Sequence, residues 1–100
     1  MTVKSYRIEW RPMAREDLRA IVRYIGKDSP TRAKSFGQEL CDRTKPLVQH
    51  PELGPRGRPG LPEWLRELVV HPNYIIFYRV LADGRTVQIL RVKHAAQQTP

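Results

Sequence analysis

Cysteine is almost missing from this 100-residue chain, Cys41 being the only one. No intramolecular disulfide can form and no cysteine-rich zinc site can be built, which suits a reducing cytosol. Long apolar runs are missing too: nothing approaches the ~18 residues that a membrane span requires. The opening MTVKSYRIEW has no apolar stretch of the kind a secretory signal carries, so a cytoplasmic protein without membrane contact is expected. The histidines at 50, 71 and 94 lack metal-ligand spacing. No glycine-rich phosphate loop precedes a helix. Neither a metal nor another cofactor is expected.

Acid is also scarce. Ten Asp and Glu face eighteen Lys and Arg, a net charge of +8, and thirteen of the basic residues are arginine. Arginine forks onto phosphate and carboxylate alike, so the partners implied are nucleic acid, a ribosome or an acidic protein. With 40% hydrophobic and 28% charged residues the composition is that of a folded domain rather than a disordered chain. Its length suits one domain, residues 1–100.

Residues 3–9 alternate loosely and predict a short strand. Pro12 suits the first turn of a helix, with Glu16 and Asp17 near the positive end of its dipole. Ala14, Leu18, Ile21, Val22 and Ile25 then mark one apolar helical face. Ser29-Pro30 opens a second helix as N-cap and first helical residue. Ala33, Phe36, Leu40, Leu47 and Val48 form its inner side, and Pro51 is expected to stop it. The short join predicts an antiparallel helical hairpin. PELGPRGRPGLP, residues 51–62, holds four prolines and three glycines and reads as a loop. Strands are expected over 64–71, 73–81 and 86–92, joined by short turns into an antiparallel meander. The fold class is α+β in the order β-α-α-β-β-β, a helical hairpin packed on a small, mainly antiparallel sheet.

Three groups of residues could carry function. Arg11, Arg15, Arg19, Arg23 and Lys27 recur every four residues along the first helix, either as a solvated face or as a basic ridge for nucleic acid or an acidic antagonist. Arg56 and Arg58 sit in a loop whose glycines let a backbone come close, and Arg66 follows where it interrupts an apolar strand. His94 stands at a strand end beside Lys93, Arg91 and Arg79. RNA cleavage needs a base, an acid and positive charge for the transition state. His94, Arg66 and Tyr74 or Tyr78 could nominally supply them. Strict strand alternation puts Arg91 and Lys93 on one face and Leu90, Val92 and His94 on the other. Cys41, Trp10 and Trp64 read as packing residues.

The segments WRPMAREDLRAIVRYI (10–25), PELGPRGR (51–58), RELVV (66–70), YIIFYRV (74–80) and ILRVKH (89–94) together resemble the RelE/ParE toxins of type II toxin–antitoxin modules. The resemblance runs through nearly the whole chain. It implies the same fold and a cognate antitoxin partner, which Arg15, Arg19 and Arg23 would meet. ParE-like members poison DNA gyrase, whereas RelE-like members act with the ribosome as metal-independent mRNA endoribonucleases. Under the nuclease alternative Arg66 and His94 would be catalytic; Arg56, Arg58, Arg79, Arg91 and Lys93 would hold nucleic acid or another target. The nucleases usually carry arginine directly after the tyrosine of a Y-x-x-x-Y strand, where this chain has Ile75. That departure favours the ParE-like expectation.

Overall fold

The computed structural model describes residues 5–56 and 59–96. Strand β1 (Arg7–Trp10) leads into helices α1 (Pro12–Gly26) and α2 (Pro30–Thr44), then strands β2 (Arg66–His71), β3 (Tyr74–Leu81) and β4 (Thr86–His94). The expected β-α-α-β-β-β order therefore holds. The sheet runs β1-β4-β3-β2: β4 pairs antiparallel with β3, β3 antiparallel with β2, and β1 parallel with β4. Among the described residues no helix is long and apolar enough to cross a membrane.

Both helices begin at proline, whose fixed φ and missing N–H fit a first turn. The Ser29 hydroxyl accepts the Arg32 N–H at 3.2 Å, which caps α2. Ser29→Ala should cost about 1 kcal/mol, read as a lower urea midpoint with unchanged slope. Two expectations need correction. The α-helical part of α2 ends at Thr44, with one 3-10 turn over Lys45–Val48, rather than reaching Pro51. Pro46 is the cause: it cannot donate to the preceding turn, and its ring collides with the carbonyl four residues back. The first turn of α1 holds no acid; Glu16 and Asp17 lie further along and bind arginines instead.

Phe36, Leu40 and Leu47 meet Val70, Ile76, Tyr78, Val87, Ile89 and Val92 in the main core between hairpin and sheet. Gly37 lets the helices touch, since a Cβ there would lie 3.0 Å from a Val22 methyl. A second, smaller cluster of Leu65, Ile75 and Phe77, edged by Leu61 and Leu90, lies on the opposite sheet face. The expected alternation along β4 is broken. Phe77 pairs with Arg91 but Tyr78 with Ile89, so Leu90 is the extra residue of a β-bulge. Leu90 consequently joins the second cluster while Val92 joins the main core.

Candidate functional site

The short β1 stops opposite Ile89, leaving the rest of β4 without a strand neighbour on that side. Helix α1 closes the gap. Its Asp17 carboxylate accepts the Val92 N–H at 3.0 Å and takes the Arg91 guanidinium at 2.7 and 3.0 Å. Burial raises the Asp17 pKa, but the Arg91 and Val92 hydrogen bonds and the Arg91 and Lys93 charges outweigh it and hold the carboxyl below its ordinary value. Arg91 is raised by the Asp17 hydrogen bond. Arg91 is thus occupied inside the fold.

Beyond this pair, α1 and the end of β4 frame a cleft of about 310 Å³ with Ile21, Tyr24, Tyr74, Lys93 and His94 on its walls. His94 closes β4, pairs across the sheet with Tyr74, and sets its ring edge-on to Tyr74 at 5.5 Å. Tyr74 also touches Phe36 and His71, so four rings cluster here. The His94 Nδ1 accepts the Ala96 N–H at 3.2 Å.

Arg66 lies at the far end of the sheet. It pairs with Tyr78, four residues along β3 from the Tyr74 that faces His94. Rise and strand spacing put Arg66 and His94 on the order of 15 Å apart at Cα. The structure does not bring them together. The Arg66 Nη1 donates to the Gly54 carbonyl at 2.8 Å and to the Glu52 carbonyl at 3.5 Å, fastening the loop to β2. Tyr78 is fully buried. Its hydroxyl donates to the Pro51 carbonyl at 2.9 Å and accepts the Gly54 N–H at 2.8 Å, and burial raises its pKa. It is a loop latch rather than an accessible acid. Ile75, in the slot where arginine was sought, is 6% exposed inside the second apolar cluster.

On the sheet face away from the helices, Arg79 donates from Nε to the Gln88 carboxamide at 2.8 Å and lies over the Trp64 ring at 5.4 Å. Trp64 is not the packing residue expected, being 54% exposed. Arg56 is exposed and bridges to Arg66 by backbone; Arg58 lies outside the described residues. On the hairpin, Arg15, Arg19 and Arg23 are exposed. Glu16 pairs with Arg19 at 3.4 Å and Arg23 at 3.1 Å, so the ridge is partly neutralised. Exposed pairs of this kind contribute little and can be exchanged for a partner's acids. Cys41 is half-buried, its thiol raised by burial and by Asp42. Among the described residues no cluster could hold a metal ion.

Asp17 is what the sequence reading missed as a site-shaping residue, although its position gave a signal. It falls three residues after Ala14 and four before Ile21, on the inward side of α1, where an acid calls for a buried partner.

A helical hairpin on a four-stranded sheet in the order β1-β4-β3-β2, with a net charge of +8, defines the fold class, and comparison with known proteins narrows it. The profile of the ParE toxin of type II toxin–antitoxin systems (parDE) matches residues 8–99, so the chain belongs to that family within the RelE/ParE superfamily of type II toxins. Toxin RelE2 of Caulobacter vibrioides is 46% identical over 88 residues, which are 88% of this chain and 91% of the relative. The chromosomal ParDE toxin–antitoxin system of P. aeruginosa contains a chain with 29% identity and a TM-score of 0.74, matching over 91% of this chain and 97% of that one. The RelBE2 toxin–antitoxin complex of Mycobacterium tuberculosis shares the fold at 20% identity and TM-score 0.63, over 96% and 98% of the two chains.

Proposed function

We propose that this toxin arrests growth in the cytoplasm by binding its target rather than by cutting RNA, and that the target is DNA gyrase. The observation that carries this reading is Ile75. The position where a nuclease would place a transition-state arginine is sealed in an apolar cluster, where no side chain offers charge to a phosphate. Two further observations support it: Arg66 is spent on loop carbonyls, and Arg66 and His94 pair with opposite ends of β3. The alternative, a ribosome-dependent mRNA endoribonuclease using Arg66 and His94, draws on the relative that bears a RelE name.

The neutralising partner is a cognate antitoxin, as in the toxin–antitoxin assemblies that share this fold. Its acids would take over the exposed arginines Arg15, Arg19 and Arg23, displacing Glu16. Reversing all three to glutamate should weaken antitoxin binding at least tenfold and make it much less salt-dependent.

His94→Ala tests the absence of catalysis. Growth inhibition on induction should stay within about threefold of the parent at equal protein level. A general base would instead cost on the order of 10²-fold or more, and a loss of that size in a folded variant would overturn the binding reading.

A further inference from the structure

The positive charge is unevenly compensated. On the two helices Arg19, Arg23, Arg32 and Arg43 each reach a carboxylate. Arg56, Arg66 and Arg79 have no carboxylate partner among the described residues. These three surround Trp64, which is more than half exposed although Arg79 lies over its ring. Arg56, Trp64 and Arg66 share a cleft of about 250 Å³ whose wall continues to Val80. An open indole beside guanidinium groups that no carboxylate contacts has the chemistry of a surface that binds single-stranded nucleic acid. Such sites stack bases on aromatic faces and hold the backbone with positive charge.

We propose that Trp64 and Arg79 form a stacking platform for one unpaired base of a DNA strand, with Arg56 on the adjacent phosphate. Gln88 holds Arg79 by Nε alone, which keeps the guanidinium over the indole while its two Nη groups stay available for phosphate oxygens. Glu52 and Glu63 share the rim of the cleft. They balance the cleft's two arginines, Arg56 and Arg66, and leave Arg79 over the indole as the surplus charge, which suits a single strand touched at few phosphates better than a duplex held along many. The choice of DNA over RNA rests on the gyrase reading, because gyrase works on DNA; the platform itself does not.

The test is fluorescence anisotropy of a labelled oligothymidylate titrated with the full-length toxin at low salt. Binding should occur, Trp64→Ala should weaken it about tenfold, and Trp64→Phe should restore most of the loss, as stacking predicts. Trp10→Phe should bind like the parent. Because Trp64 is largely exposed, Trp64→Ala should keep the parent's circular dichroism and melting temperature. No binding by the parent, or equal binding by Trp64→Ala, would overturn the platform. Tenfold tighter binding to oligouridylate would overturn the choice of DNA. Gyrase inhibition that persists in Trp64→Ala alongside a failed DNA titration would sink this inference while leaving the gyrase reading in place.

Discussion

Gly54→Ala should destabilise the fold by about 4 kcal/mol. A Cβ at this position would run into the backbone carbonyl of Glu67 and lie 2.9 Å from the Tyr78 hydroxyl. Neither neighbour can yield. Glu67 is held in β2, its N–H donating to the Pro55 carbonyl at 3.0 Å, and Tyr78 is fixed by the main core. Relief must come from withdrawing the loop, and that breaks three links together: Gly54 N–H to the Tyr78 hydroxyl, the Tyr78 hydroxyl to Pro51, and Arg66 to the Gly54 carbonyl. Overpacking costs about 1–3 kcal/mol, and each buried polar group left without a partner adds about 1–3 kcal/mol. A destabilisation of about 4 kcal/mol follows, large against the 5–15 kcal/mol typical of a domain. Urea unfolding followed by circular dichroism checks it. Tyr78→Phe, which keeps the ring and removes only the hydroxyl, should cost less, about 2 kcal/mol. If Gly54→Ala unfolds at the parent's midpoint, the loop does not dock as described.

Asp17→Asn should have the next largest effect. The change keeps the shape but leaves Arg91, 22% exposed at its side chain, without its counter-charge. Removing one partner of a largely buried pair costs about 3 kcal/mol. The Asp17 pKa is depressed in the folded chain. Its stabilisation is therefore fully present above the unfolded value of about 3.9 and is lost as the pH falls through the lower folded value. The gap between parent and Asp17→Asn should be widest near pH 7 and should narrow below about pH 4. Urea midpoints at pH 7 and pH 3 measure it. A gap that stayed constant with pH would assign the loss to packing rather than to charge.

Much of this architecture was legible in the sequence because it rests on local chemistry. Pro12, Ser29 and Pro30 marked helix starts, and apolar spacing along α1 and α2 marked their buried faces. What stayed hidden depended on pairing across the sheet. The bulge at Leu90 changes which face each later β4 residue takes, and it exists only as a register shift against β3. Arg91 looked like a ligand for phosphate because its partner, Asp17, is 74 residues away in sequence. Arg66 was read as a site residue because it interrupts an apolar strand and because the resemblance implies a basic residue there, yet its partners are backbone carbonyls, which no residue type announces. The separation of Arg66 from His94 likewise follows from their register on β3. Trp64 was misplaced for a related reason: Leu65, its neighbour, turns inward to the second cluster and leaves the indole outside.

The reading of a toxin that binds rather than cuts meets its most direct test in a supercoiling reaction of gyrase, relaxed plasmid and ATP with the purified protein. Loss of supercoiling with accumulation of cleaved plasmid is predicted, and the His94→Ala variant should act at the same concentration as the parent. Normal supercoiling at concentrations that stop growth, together with mRNA cleavage on translating ribosomes that His94→Ala abolishes, would contradict it.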